Sequence, residues 1–306
     1  MNTEKPAPAS SEPAERVPHR CLVRLRGIYH SLKKAERKAA DYLLASPDAI
    51  HQAGVVEFSI QAGCSQATVV RLAQRLGYDG FPALRSAFAA PETEVPYRDI
   101  ASTDKPEVVL RKVFANSVQA LQDTLAAIDS TEYSKAVEAL VTAKSLAFFG
   151  LGNAAVVARE AYHKFLRIGV PSHTAEDPDL QLIILSNHLN RGDVMVAVSY
   201  SGESKSILVA ARAAQTRGIR VLAITNFPRS TLAKLSDLVL LTAVFQEHIN
   251  GEIGSERLAQ LAVLESLYVN YLLRCGAGAR NALAAANLAV GLNKNRKFDP
   301  SRLEDL

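Results

Sequence analysis

Three serines and one glycine fall within six consecutive positions in Ser199-Tyr200-Ser201-Gly202-Glu203-Ser204. The segment closes a strand-like run, Asp193 to Val198, and opens a helix-like run from Ser204 to Gln215. A junction of strand, turn and helix gathers unpaired backbone N–H groups and the positive end of the helix dipole at one point, so an anion is favoured there. Ser199, Ser201 and Ser204 add donors, and Gly202 lets the backbone come close. Glu203 would face the anion or cap the helix. The chemistry within reach of these residues is capture of a phosphate. A serine-rich turn can also cap a helix and bind nothing, so the segment alone leaves both readings open.

What must position this loop is a sheet. Beyond Pro106 the pattern gives helices at Val108 to Ile128 and Thr131 to Thr142, then short apolar strands at Ser145 to Phe149, Val170 to Thr174, Val194 to Ser199, Val221 to Thr225 and Leu238 to Leu241. Helices fit between the strands at about 154–167, 178–189, 204–217 and 230–235, and a last long one spans Ser255 to Arg274. Apolar strands separated by helices predict a doubly wound α/β domain with a five-stranded parallel sheet covered on both faces. In such sheets ligands bind beyond the carboxyl ends of the strands, where the winding reverses. With strand order 2-1-3-4-5 the reversal lies between the first and third strands. The first ends at Gly150-Leu151-Gly152-Asn153-Ala154 and the third at Ser199 to Ser204, so two glycine-bearing loops meet there. Gly150, Gly152 and Asn153 therefore join Ser199, Ser201, Gly202, Glu203 and Ser204 as candidate ligand contacts. A dinucleotide fingerprint fits poorly, since Ala155 takes the third glycine position and no acid ends the second strand at Gly169 to Thr174.

With 48% hydrophobic and 22% charged residues and no run of eighteen apolar positions, the chain reads as a soluble protein, expected in the cytoplasm. The segment before about residue 20 carries Glu4, Lys5, Pro6, Pro8, Glu12, Pro13 and Pro18 and reads as a disordered tail. Cys21, Cys64 and Cys275 form no C-x-x-C pair, and the seven histidines show no zinc-binding spacing. Neither a metal nor a cofactor is expected. The net charge of +4 is unevenly placed, because residues 16–90 hold eleven Lys or Arg against five acids, whereas residues 91–306 hold 23 of each sign. A polyanionic partner is therefore expected at the first of these regions only.

In that basic region, Leu32, Ala35, Ala39 and Leu43 have helical period, with Lys33, Lys34, Arg37 and Lys38 between them, up to Pro47. A second helical segment, Val55 to Ala62, leads through Gly63-Cys64-Ser65 into a third, Gln66 to Leu76. Gly63 suits a left-handed turn, Ser65 an N-cap and Gly77 the C-terminal stop, which together predict two helices joined by a tight turn. At 100° per residue Val69, Leu72, Ala73 and Leu76 face inward, and Ala67, Thr68, Arg71, Gln74 and Arg75 face outward. Small, amide and cationic side chains of this kind reach base edges and phosphates in the major groove of duplex DNA, and they also make an ordinary solvated helix face. Lys33, Lys34, Ser65, Gln66, Thr68, Arg71, Gln74 and Arg75 are the candidate DNA contacts.

Two resemblances bear on these alternatives. Leu32-Lys33-Lys34-Ala35-Glu36-Arg37-Lys38-Ala39-Ala40-Asp41-Tyr42-Leu43, Ala62-Gly63-Cys64-Ser65-Gln66-Ala67-Thr68-Val69-Val70-Arg71 and Leu76-Gly77-Tyr78-Asp79-Gly80-Phe81 resemble the helix-turn-helix of the RpiR family of bacterial transcription regulators. Val56-Glu57-Phe58-Ser59 departs from the alanine-rich form usual in that family. Phe148-Phe149-Gly150-Leu151-Gly152, Lys164 to Gly169, Gly192-Asp193, Ser199 to Ser204, Ala223 to Asn226, Ser230 with Leu232-Ala233, and Ser255 with Arg257 to Leu261 resemble the sugar isomerase (SIS) domain, the usual partner of that helix-turn-helix. The resemblance implies that Ser199, Ser201, Gly202 and Ser204 hold the phosphate of a phosphosugar. Ala154 stands where the SIS family often has serine, and Asp177-Pro178-Asp179 where it often has Asp-x-His, so the sugar end departs from the pattern. Asp177 and Asp179 also suit helix capping. The expected domains are a tail over 1–19, a helix-turn-helix domain over 20–90, a linker over 91–106, a SIS domain over 107–280 and a helical tail over 281–306.

An isomerase also needs a base poised near neutrality. Glu203, Glu252, Glu256 and His248 are the candidates, though acids near the start of the last helix are favoured by its dipole in any case. A DNA-binding unit has no use in a plain isomerase. The expected function is a regulator of sugar metabolism without enzymatic activity, binding an operator as a homodimer or homotetramer and sensing a phosphorylated sugar or sugar acid. The alternative is a sugar-phosphate isomerase with an accessory N-terminal domain.

Overall fold

The computed structural model describes residues 19–47, 49–89, 100–244 and 255–294. The described residues divide into two compact units: one holds those through Leu22 and from Leu32 to 89, the other Val23–Ser31 and those from 100 onward. The tail and most of the linker lie outside the described residues.

The first unit contains α2 (Lys34–Ala45), α3 (Ala49–Gln52), α4 (Val55–Gln61), α5 (Gln66–Arg75) and α6 (Phe81–Ala89), preceded by the start of α1 (His19–Ile28). Its core is Leu43, Phe58, Val69, Leu72, Phe81 and Leu84, each at most 2% exposed. The turn between α4 and α5 forms as the residue types demand. Gly63 has φ +62, and Ser65 Oγ accepts the N–H of Thr68 at 3.2 Å. Gly77 follows α5 with φ +86. Ser59 is buried, and its hydroxyl is satisfied by donating to the Val56 carbonyl at 2.7 Å. On α2 the inward face differs from expectation: Ala35 is exposed, and Glu36 is buried beside Ala39, Ala40 and Leu43.

In the second unit α7 (Pro106–Ala127) and α8 (Ser130–Thr142) precede a sheet of β1 (Leu146–Phe149), β2 (Ser172–Thr174), β3 (Val194–Val198), β4 (Arg220–Thr225) and β5 (Leu238–Leu241). All pairings are parallel and the order is β2-β1-β3-β4-β5, with Leu146 opposite Val194 and Ala197 opposite Ala223. Both faces are covered, as the unbroken apolar runs require. Phe148, Val196, Val198 and Ile224 share one core with α8, α9 (Asn153–Arg167) and α13 (Ser255–Lys294). Phe149, Met195, Ala197 and Ala223 share the other with α10 (Pro178–Asn187), α11 (Lys205–Thr216) and α12 (Thr231–Leu235). Asp193 locks the amino end of β3 to its neighbours, accepting the N–H groups of Ser145 at 2.9 Å and Asn190 at 2.8 Å.

Three helices were not read from the sequence, and the last helix carries a kink. The last helix breaks at Gly276, non-helical at φ 58 and ψ -123 and two residues past the expected stop at Arg274, and a second helical segment follows it to Lys294. Its alanine-rich second half is a strong helix former, and Arg167 anchors it by donating to Asn287 Oδ1 at 2.6 Å. The helices α1, α3 and α6 were not assigned from the sequence: α3 is a single turn, α6 opens on Phe81-Pro82 and α1 has no acid in its first turn.

Candidate functional site

The reversal of winding lies between β1 and β3, and each strand runs from there into a helix. Gly150 is the hinge of the first junction, since a Cβ there would overlap the Ala154 carbonyl of the first turn of α9. Gly152, with φ +56, takes the N-cap position, and no side chain caps the helix. Asn153 at the head of α9 is exposed, accepts from Arg257 Nη1 at 3.4 Å and donates to Glu256. At the second junction Ser204 stands at the N-cap of α11 without a side-chain bond, which leaves the first-turn N–H groups of α11 outside the helical ladder.

The serine loop is held from within and from behind. Ser199 Oγ accepts the N–H of Gly202 at 3.1 Å, and Ser201 Oγ accepts that of Glu203 at 3.2 Å. A hydroxyl that accepts from the backbone keeps its own proton to donate, so both serines stay competent to bind an anion. From the next strand, Thr225 Oγ1 and the N–H of Asn226 each donate to the Tyr200 carbonyl at 3.0 Å, and the N–H of Leu232 donates to the Gly202 carbonyl at 3.0 Å. Gly202 has φ +66, and a Cβ there would overlap the Ser230 side chain. The loop is thus a pinned turn that sets Ser201 and Ser204 beside a helix terminus, with Ser199 buried beneath them at 6% exposure.

One predicted contact is placed otherwise. Glu203 does not cap its own helix, because its Oε1 accepts the N–H of Thr231 at 2.7 Å at the start of α12. That bond holds its carboxyl below the usual range. Asp177 caps α10 by accepting from the N–H of Leu180 at 2.8 Å, and Asp179 is exposed in the first turn. Glu256 is 8% exposed, and burial pushes its carboxyl up. Glu252 and His248 lie outside the described residues.

Several contributors to this site were missed. Arg26 of α1, 7% exposed, donates from Nη1 to the carbonyls of Asn226 at 2.8 Å and Thr242 at 3.3 Å, and its guanidinium lies 5.9 Å from the centre of the Phe227 ring. Tyr200, whose ring meets Phe227 edge-on at 5.4 Å, has its phenol pushed up to about 12 by burial. Thr225 and Ser230 support the serine loop directly. A partner some 200 positions away leaves no trace in local periodicity, whereas Ser230 stood within a motif quoted for the SIS resemblance.

In the first unit, Lys33, Lys34, Gln66, Ala67, Arg71 and Gln74 are exposed, and Ser65 serves as the N-cap. Thr68 does not face outward: it is 2% exposed, and its Oγ1 bonds Ser65 Oγ at 2.9 Å and accepts from Arg71 Nη2 at 3.2 Å. The reason is angular, since Thr68 lies one turn before the buried Leu72 on nearly the same face. Arg75 pairs with Glu36 Oε2 at 3.1 Å, the same oxygen that accepts the Lys33 N–H at 2.9 Å. Thr68 and Arg75 therefore set the shape of the face, and Gln66, Arg71 and Gln74 project from it.

Comparison with known proteins matches both units. Residues 19–92 fit the model of the helix-turn-helix domain of the rpiR family, and residues 139–270 that of the SIS domain. The chain is 34% identical over 252 residues to an uncharacterized HTH-type transcriptional regulator, YbbH, of Bacillus subtilis, covering 81% of this chain and 89% of the relative. It is 31% identical over 290 residues to the HTH-type transcriptional regulator HexR of Escherichia coli, covering 92% and 97%. The solved structure of the Vibrio vulnificus NanR protein complexed with ManNAc-6P is 28% identical, with a TM-score of 0.57 over 88% of this chain and 98% of that one. Serine loop, parallel sheet, helix-turn-helix and full-length relatives agree, and the chain belongs to the RpiR family of helix-turn-helix transcriptional regulators, with a SIS domain as its second unit.

Proposed function

We propose that this regulator binds its operator through Gln66, Arg71, Gln74, Lys33 and Lys34, and answers to a phosphorylated sugar or sugar acid whose phosphate is held by Ser199, Ser201, Gly202 and Ser204. The observation that carries the reading is the serine loop itself, a pinned turn with two hydroxyl protons and an uncapped helix terminus at one point. The NanR protein, whose structure is complexed with ManNAc-6P, supports it by likeness. Sensing requires only that the effector bind the DNA-competent and DNA-incompetent states with different affinity. Operator affinity measured against a panel of sugar phosphates tests this. The proposal expects at least one compound to shift it about fivefold or more, the lower end of ordinary allosteric coupling. No shift with any compound would sink the sensor.

The reading includes a second copy of the chain. On α7, Leu110, Phe114, Val118, Leu121 and Leu125 are all exposed and lie within an arc of about 80° at helical pitch. An exposed apolar stripe of this length fits burial against the same helix of a second copy. Sedimentation equilibrium reads this directly; a monomer at micromolar concentration contradicts it.

A second reading, sugar-phosphate isomerase, draws on Glu256, a carboxyl raised by burial beside Asn153. The proposal places no catalyst here and expects no aldose–ketose turnover. A rate above background that Glu256→Gln abolishes would reverse that.

A further inference from the structure

Gln260 of α13 is 1% exposed, and neither its Oε1 nor its Nε2 has a hydrogen-bond partner among the described residues. A buried amide left unbonded costs about 1–3 kcal/mol, so native chains keep one where something else will bond it. Its neighbours on the helix locate it. One turn earlier, Glu256 is bonded by Asn153 at the head of α9, and it also acts electrostatically on Tyr200 of the serine loop. The preceding residue, Ala259, packs in one small cluster with Tyr200. One and two turns later, Val263 and Leu267 share a core with Phe148 of β1 and with Val196 and Val198 of β3. Positions i, i+4, i+7 and i+11 of a helix share a face, so 256, 260, 263 and 267 point the same way. That face packs on the sheet at β1 and β3, and its Glu256 end reaches Asn153 of the first loop and Tyr200 of the second.

We propose that Gln260, with Glu256 one turn away, is the hydroxyl-reading end of the pocket whose phosphate end is the serine loop, so that the occupant is a phosphorylated polyhydroxy compound. This rests on the reading of the serine loop as a phosphate site and extends it to the other end of the ligand, where Ala154 and Asp179 supply no imidazole or hydroxyl. A carboxamide offers one acceptor and two donors, and a carboxylate offers acceptors only. Hydroxyl groups on adjacent carbons, each both donor and acceptor, satisfy that set together, which a bare phosphate does not. A site built to bond a hydroxyl rejects an analogue lacking it, because its own buried groups are then left unpaired.

The test titrates the full-length protein and Gln260→Met, a nearly isosteric change, with inorganic phosphate and with aldose, ketose and aldonate 6-phosphates, by calorimetry and thermal shift. The wild type is expected to bind at least one sugar compound about tenfold or more tightly than inorganic phosphate. Gln260→Met removes that preference to within about twofold, leaves inorganic phosphate within about twofold, and does not lower the melting temperature of the ligand-free protein, since an unbonded amide has been replaced by an apolar chain. A preference that survives in Gln260→Met overturns the proposal, as does a wild type that prefers no sugar compound. So does a variant that melts lower and loses all ligands equally, the mark of a structural or water-bridged amide. If the wild type binds no phosphate at all, the serine-loop reading falls as well; failure of the Gln260 proposal alone is distinct, because phosphates then bind without regard to residue 260.

Discussion

Gly202→Ala tests the geometry of the serine loop at its tightest point. An alanine there adopts φ +66, at a cost of about 1–2 kcal/mol for an L residue in the left-handed region. Its Cβ also overlaps the Ser230 side chain and lies 3.0 Å from Thr225 Oγ1, which adds the cost of overpacking, about 1–3 kcal/mol. The sum is roughly 2–5 kcal/mol. For a unit of this size each kcal/mol moves the midpoint by about 2–4 °C, so the second unit should melt roughly 4–20 °C lower. Gly152→Ala is the control: its φ is +56 but nothing lies within 4 Å of the added Cβ, so only the backbone penalty of about 1–3 kcal/mol applies. The decisive variant is the double mutant with Ser230→Gly. That change removes the obstructing side chain and, as a Ser-to-Gly substitution at the N-cap of α12, costs only a few tenths of a kcal/mol, about the minimum for a cap. Thermal melts of the four proteins should show the double mutant less destabilised than the sum of the singles by at least about 1 kcal/mol. Additive losses would mean that the overlap with Ser230 is not what excludes a side chain at residue 202.

Three further outcomes follow from the same contacts. Arg71→Ala should weaken operator binding by about 1–3 kcal/mol and leave sugar-phosphate affinity unchanged, read by fluorescence anisotropy and calorimetry on the same preparations; intact operator binding would remove Arg71 from the reading face. Arg26→Met strips the charged donor from the Asn226 and Thr242 carbonyls and should cost roughly 2–4 kcal/mol in melts of the second unit, with a loss under about 0.5 kcal/mol arguing that those carbonyls find water instead. Tyr200 has its phenol raised in the folded state, so its contribution to stability is complete below about pH 10 and is lost as pH climbs toward about 12, at no more than about 1.4 kcal/mol per pH unit. Tyr200→Phe should flatten the alkaline fall in stability and delete one late-ionising phenol from the absorbance titration; an unchanged titration would contradict the burial that raises it.

The elements were legible where local chemistry alone decides. Strand runs such as Val194 to Val198, the Gly63 turn and the Ser65 cap all followed from residue type and period, whereas the strand order 2-1-3-4-5 entered only as a condition that the sheet then met. Side-chain roles were legible only where no distant element intervened. Helical angles put Arg75 outward, and they could not show that α2 supplies Glu36 to hold it. Thr68 sits at the edge of the inward face, and two hydroxyl contacts bring it in. Glu203 was read against its own helix, whereas its partner is Thr231, 28 positions on. Arg26 and Gln260 are invisible to periodicity for opposite reasons, since one finds partners across 200 positions and the other finds none among the described residues.

If the proposed serine-loop phosphate site and the operator-reading face are linked, effector and operator binding must be reciprocal. The dissociation constant of the effector, taken as whichever sugar phosphate shifts operator affinity most, is measured by calorimetry with and without saturating operator DNA, in the wild type and in Ser201→Ala. Linkage requires that operator change the effector constant by the same factor, and in the same sense, as effector changes the operator constant. The expected result is that equality in the wild type, about fivefold or more, with Ser201→Ala losing effector affinity while its effector-free operator affinity stays within about twofold. Effector binding that is indifferent to operator, or unaffected by Ser201→Ala, would contradict the account.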